Sequence, residues 1–235
     1  MKKKIIAINK KLIKQFGTPQ RPKILPKPID MLIGTILSQN TNDRNSYHAY
    51  KNLKEKYSNW DEVNKAKRTL IEKEIKVAGL GFQKSTAIKN LLKELEKQIG
   101  NFELTEINSI DNENAIKYLT SFKGVGVKTA SCVLLFSLDK NVCPVDTHLH
   151  RTLNRIGIVK TSAPDKTYFE INKDFPPKIA HLFHTNLIRL GREICTPKNY
   201  KCNICPLVDI CNFDSKNFTE ITKTSERSFM LLDNI

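Results

Sequence analysis

The stretch that most constrains this chain is Phe122-Lys123-Gly124-Val125-Gly126-Val127-Lys128-Thr129-Ala130, followed by the nearly unbroken apolar run from Ser131 to Leu138. Before it, Ile116, Leu119 and Phe122 recur at helical spacing in a segment that Glu113 can begin. The run after it is long enough for a buried helix. Two helices joined by Gly-x-Gly bring backbone N–H groups close to an anion, because neither glycine carries a Cβ. The second helix starts at the turn, so its unpaired N–H groups and positive dipole end face the same place. Lys128 stands at that start and is the only charged residue from Gly124 to Leu138. Taken alone, the pattern also fits a plain helical hairpin with a lysine snorkelling to solvent.

Two further motifs follow. Eighteen residues after Lys128 stands Asp146, within Pro144-Val145-Asp146-Thr147-His148-Leu149-His150-Arg151, placed to N-cap a helix through Arg155 that Gly157 ends. Further on, Cys195, Cys202, Cys205 and Cys211 read C-x6-C-x2-C-x5-C. Such a set can hold zinc or iron–sulfur. Zinc sites usually come as two Cys-x2-4-Cys knuckles, and only one such pair exists here. The tight run instead suits the four corners of one cubane cluster. Cys132, inside the apolar run, and Cys143, beside Pro144, read as core residues.

Hairpin, Val-Asp-Thr-His and cysteine spacing, in this order, resemble the endonuclease III family of DNA repair glycosylases, from about Asp30 to Phe213. The resemblance implies an all-α fold of two helical domains around a cleft. Residues 29–141 would form a six-helix domain holding the hairpin, and residues 1–28 plus 142–213 the cluster-bearing domain, with 214–235 as a tail. It also implies a [4Fe-4S] cluster on Cys195, Cys202, Cys205 and Cys211. Lys128 would line one wall of the cleft as nucleophile and Asp146 the other as the carboxylate that stabilises a cationic sugar. The partner would be double-stranded DNA carrying damaged bases or abasic sites, met by the protein as a monomer.

Other positions take roles from the same resemblance. The hairpin amides of Gly124, Val125, Gly126 and Val127 would touch phosphates, and His148 reads either as a phosphate contact or as a core or capping histidine. Ser38-Gln39-Asn40-Thr41 resembles the Leu-Ser-x-Gln-Thr segment whose amide fills the gap left by an extruded base. Gln39 and Asn40 both compete for that role, Asn40 by position. Ala78-Gly79-Leu80-Gly81-Phe82-Gln83-Lys84 resembles the Gly-Leu-Tyr-x-x-Lys-Ala turn, with Leu80 as the wedge and Lys84 structural or phosphate-facing. Here Gly81 replaces the usual aromatic, and Asn40 is one methylene short of glutamine. A wedge filled less fully favours lesions that already weaken pairing.

Composition agrees with a polyanion as partner. Lys+Arg of 39 against Asp+Glu of 24 gives a net charge of +15 spread along the chain. A merely basic proteome would give the same excess, since lysine greatly outnumbers arginine. No apolar run reaches the ~20 residues of a membrane span. Lys2 to Lys4 precede only Ile5-Ile6-Ala7-Ile8, too short for a signal-peptide core. The expected compartment is therefore a reducing cytoplasm, with nucleoid association if the source is prokaryotic, where clustered cysteines suggest metal before disulfides.

Along the chain, periodicity predicts helices over residues 1–16, 31–37, 47–57, 61–76, 88–99 and 176–191, besides the hairpin pair and the Asp146 helix. Asp30 is expected to cap the second of these. Four prolines between Gly17 and Pro28 make a strap, and no strand alternation occurs. The leading functional expectation is a bifunctional glycosylase with β-lyase activity on oxidised pyrimidines. The alternatives are a same-superfamily glycosylase for mismatched thymine, uracil or another lesion, and a non-catalytic damage-binding module. Lys128 and Asp146 together count against the last.

Overall fold

A computed structural model of the chain describes residues 1–219 together with Met230, Leu231, Asn234 and Ile235. The polar tail expected after Phe213 lies, from residue 220 on, outside the described residues apart from those four. In chain order the helices are α1 (Lys2–Phe16), α2 (Pro28–Ser38), α3 (Asp43–Lys56), α4 (Trp60–Lys65), α5 (Arg68–Ile75) and α6 (Gly81–Ile99). Then come α7 (Asn112–Ser121), α8 (Val127–Cys132), α9 (Thr147–Ile156), α10 (Pro164–Asn172) and α11 (Ala180–Glu193). No strand occurs among the described residues, so the fold is all-α. No helix among them is long and apolar enough to cross a membrane.

The chain forms two compact units. One comprises Met1–Gln20 and, among the described residues, Asn141 to Thr219; the other comprises Arg21–Lys140 with Met230, Leu231, Asn234 and Ile235. The proline strap from Arg21 thus groups with the helices that follow it.

In the second of these units α2 is the core. Every residue from Ile29 to Leu37 is buried, as a helix apolar on all sides must be, and α3, α6 and α8 pack against it. The helix starts at Pro28, whose missing N–H costs nothing in the first turn. Asp30 therefore does not cap it, contrary to expectation, and its carboxylate turns to α3 and α4 instead. Asp30 Oδ1 accepts from Tyr50 Oη at 2.8 Å, Trp60 Nε1 at 3.0 Å and Lys54 Nζ at 3.3 Å. Burial, with the neighbouring Asp30 charge, pushes the Tyr50 phenol far above its usual value.

The single helix expected over 61–76 is two. Ala66 and Lys67 are extended, at ψ 149° and 137°, and Lys89 Nζ donates to the carbonyl of Ala66 at 2.9 Å and to that of Asn64. A distant lysine thus takes carbonyls that a continuous helix would have used. This unit consequently carries seven helices where six were expected. The chain end packs here too: Met230 and Leu231 are buried, and the Leu231 N–H donates to Asp43 Oδ2 at 3.3 Å. A Cβ on Gly34 would run into the Ile235 side chain, so glycine in α2 is what admits Ile235.

In the other unit α1 packs on α11, α11 on α9, and α9 on α10. Ile5, Ile8 and Leu12 form the buried face of α1, as its periodicity predicts. Lys4 Nζ donates to the carbonyls of Ile156 at 3.1 Å and Gly157 at 3.4 Å, where cationic charge favours the C-terminal end of α9. Arg189 of α11 donates to Phe16 O at 3.0 Å. Helix α10 has no counterpart in the sequence reading, although Pro164 in its first turn and buried Thr167, Tyr168 and Ile171 mark it.

Asp30 offers a direct test of the first-described core. Asp30→Ala strands buried donors of Tyr50 and Trp60, and is expected to lower unfolding stability by about 2–4 kcal/mol. Urea titration should show the midpoint falling at unchanged slope; an unchanged midpoint would remove Asp30 as the organising acceptor.

Candidate functional site

The hairpin is built by two conformational choices. Helix α7 ends at Phe122, whose carbonyl accepts the Val125 N–H at 3.0 Å to close a turn. Gly124 within that turn has φ +91°, a backbone that L side chains rarely adopt. Gly126 is the N-cap of α8 with no side-chain cap, and nothing stands within 4 Å of where its Cβ would be. The first N–H groups of α8 therefore lack helix partners at a turn with open space beside it. Phe122 and Val125 are buried and anchor the turn from within.

Lys128 is the second residue of α8 and is partly buried. Its carbonyl accepts from Ser131 Oγ at 2.9 Å. Among the described residues no carboxylate or carbonyl pairs with its Nζ. After Cys132 the helix continues as a π-helical segment, Val133–Ser137, with Val133 to Phe136 buried. The apolar run of the sequence thus seats the lysine on a helix fixed from behind.

Asp146 takes the position its sequence context predicts. It is the N-cap of α9, with Oδ1 accepting the Leu149 N–H at 2.8 Å, and Gly157 closes the helix at φ 78°. The cap fixes the carboxylate through one oxygen, leaving Oδ2 without a partner among the described residues. One turn on, His148 Nδ1 faces Arg151 Nη2 at 3.3 Å. Burial pushes the His148 imidazole below its usual value, against the pull of Asp146. Arg151 is held by the carbonyls of Gly191 at 2.8 Å and Cys195 at 3.0 Å.

Gln39 and Asn40 are both exposed at the end of α2, Gln39 extended and Asn40 left-handed at φ 52°. The left-handed backbone gives Asn40 a physical reason, since asparagine enters that region far more readily than glutamine. Leu80, the N-cap of α6, is left-handed too, at φ 51° and ψ 36°, and 45% exposed. For leucine that conformation costs about 1–2 kcal/mol. Beside it, the Arg68 guanidinium stacks 4.4 Å from the centroid of exposed Phe82. Lys84, by contrast, is only 2% exposed, and its Nζ donates to Leu37 O and Ala78 O at 2.8 Å each. Burial lowers its pKa to about 8. Sequence reasoning left Lys84 between a structural and a phosphate-facing role; the geometry is structural. The stacked pair Arg68–Phe82 was not foreseen, and no local signal marks it.

Cys195, Cys202, Cys205 and Cys211 line one cavity, with Arg155, Tyr200, Leu207 and Phe213 among its walls. None of the six cysteines is in a disulfide. Burial, with the other three sulfurs adding, pushes the Cys205 thiol up to about 11; burial raises Cys211 likewise. Among the described residues no three His, Cys, Asp or Glu side chains gather as a single metal ion would need. Arg155 braces the loop. Its guanidinium lies 4.6 Å from the Tyr200 ring centroid and 4.8 Å from that of Phe213, and donates to Thr196 O at 2.7 Å and Pro197 O at 3.0 Å. Arg155 Nη1 also lies 3.5 Å from Cys195 Sγ. Cys132 and Cys143 are buried core residues, as expected.

Comparison with known proteins agrees with this architecture. A family profile described as HhH-GPD superfamily base excision DNA repair protein matches residues 33–177, more than half of the chain. Endonuclease III of Thermotoga maritima is 34% identical over 186 residues, covering 79% of this chain and 83% of that protein. A protein of Arabidopsis thaliana, provisionally named a DNA glycosylase, is 36% identical over 193 residues; these are 77% of this chain and 65% of that protein, so the chain spans just under two thirds of it. A solved structure of a trapped endonuclease III–DNA covalent intermediate matches with a TM-score of 0.76 at 25% identity, over 90% of this chain and 96% of that one. The chain belongs to the HhH-GPD superfamily of base excision DNA repair proteins, as an endonuclease III-like DNA glycosylase.

Proposed function

We propose that this chain is a bifunctional DNA glycosylase and AP lyase that removes oxidised pyrimidines. The observation that carries the reading is Lys128: a primary amine at the first turn of α8, partly buried and unpaired among the described residues. The unprotonated amine attacks C1′ of the damaged nucleotide as the C1′–N bond to the base breaks. The departing base leaves with the bonding pair and takes up a proton. Asp146 stabilises the positive charge that develops on the sugar and accepts the proton lost by the attacking amine. Opening of the sugar ring leaves an iminium on Lys128. That iminium acidifies the C2′ proton, whose loss expels the 3′ phosphate and nicks the strand. The covalent endonuclease III–DNA intermediate solved in a matching fold supports the reading.

Extrusion of the base costs a few kcal/mol. We assign the offset to the N–H groups of Gly124 to Val127, as sequence-independent phosphate contacts, and to Asn40, Gln39 and Leu80, as groups that occupy the gap. His148, turned to Arg151, would be a phosphate contact beside the Asp146 cap. Cys195, Cys202, Cys205 and Cys211 would hold a [4Fe-4S] cluster, which supplies a rigid core for the basic loop carrying Lys198 and Lys201.

Three outcomes test this. Lys128→Ala should abolish borohydride trapping and nicking while duplex binding persists; trapping at normal yield would remove Lys128 as nucleophile. Asp146→Asn keeps the helix cap, because asparagine caps equally well. It should leave binding intact and slow base release by a factor on the order of 100 or more, and an unchanged single-turnover rate would take Asp146 out of the mechanism. Purified protein should be yellow-brown and contain about four irons and four sulfides. Stoichiometric zinc without visible absorbance would refute the cluster.

A further inference from the structure

Lys84 is the only lysine or arginine buried among the described residues. It has no carboxylate partner there. Its ammonium is held instead by two carbonyls, Leu37 O at the end of α2 and Ala78 O in the turn Lys76–Ala78 before α6. Both are carbonyls at the ends of helical segments, where the dipole favours a cation and the last turn leaves acceptors without helix partners. Leu37 lies three residues before Asn40 and Ala78 two before Leu80. The Lys84 backbone N–H also donates to Leu80 O at 3.0 Å. Asn40 and Leu80 are two of five described non-glycine residues with positive φ, and both are exposed. Strained, exposed backbone persists only where its surroundings over-determine it.

We propose that Lys84 is a positioning residue for base extrusion: it clips the end of α2 to the turn before α6 and so holds Asn40 and Leu80 in the left-handed conformations from which they enter the duplex. The inference rests on the assignment of Asn40 and Leu80 as gap-filling groups. A buried ammonium without an anion is a poor device for stability alone. It is a good device for joining two backbone ends, since one compact head reaches two acceptors and an apolar side chain reaches none.

The test compares wild type, Lys84→Met, Lys84→Gln, Leu80→Ala and the double variant Lys84→Met/Leu80→Ala. Single-turnover excision is measured on 5-hydroxycytosine paired with guanine, a well-stacked lesion, and on thymine glycol opposite adenine, a poorly stacked one. Affinity is measured for a duplex carrying a tetrahydrofuran abasic analogue. Lys84→Met should slow the well-stacked lesion about tenfold and change abasic affinity less than about twofold, with Lys84→Gln, which keeps one donor, between. In the Leu80→Ala background Lys84→Met should add clearly less than its tenfold effect in wild type, because one of the two residues it holds is already gone. Equal losses on all three substrates, or full additivity with Leu80→Ala, would overturn the proposal. If Lys84→Met does not fold, Lys84→Gln carries the same comparison; global unfolding of both would make Lys84 a scaffold residue and end the proposal. A loss in Leu80→Ala without one in Lys84→Met overturns this inference alone. Leu80→Ala matching wild type removes the wedge reading and this inference with it.

Discussion

Helix α2 has no solvent face from Ile29 to Leu37, and that single constraint arranges most of its unit. A helix apolar all round must be enclosed, so α3, α6 and α8 close on it. α8 is thereby fixed from behind, with Lys128 in its first turn. The end of α2 delivers Gln39 and Asn40, while its Gly34 accepts the chain end. Its first turn sends Asp30 to gather Tyr50, Lys54 and Trp60. A side chain that loosened α2 would disturb the hairpin and the exposed Gln39–Asn40 turn together.

The groups proposed to act on DNA share a pattern, in which backbone geometry fixes the position of each. Gly124 and Gly126 present the start of α8 without side chains in the way. Asp146 commits Oδ1 to its cap, and its Oδ2 has no partner among the described residues. Leu80 and Asn40 hold strained backbones at exposed positions. In each case the fold, not the side chain alone, sets the geometry.

What the sequence made legible was local. The hairpin, the Asp146 cap and the Gly157 stop are each written in a few adjacent residues, and each sits where those residues place it. The all-α class followed from periodicity. What stayed hidden was settled by distant partners. Nothing between Asp61 and Lys76 announces the break at Ala66 and Lys67, because Lys89 of α6 takes the carbonyls there. Asp30 looked like a cap, since its acceptor role depends on Trp60, thirty residues on. Leucine carries no preference for a left-handed backbone, so the conformation of Leu80 had no signal. The two backbone carbonyls that Lys84 joins, 47 and 6 residues away, had none either.

Every step proposed for the reaction turns on the amine of Lys128 forming the covalent bond to the sugar. Its most direct measurement is peptide mapping, by mass spectrometry, of the protein–DNA adduct trapped with borohydride on an oxidised-pyrimidine duplex. The reduced sugar adduct is expected on the peptide containing Lys128. An adduct on any other lysine or on the N-terminal amine would contradict it.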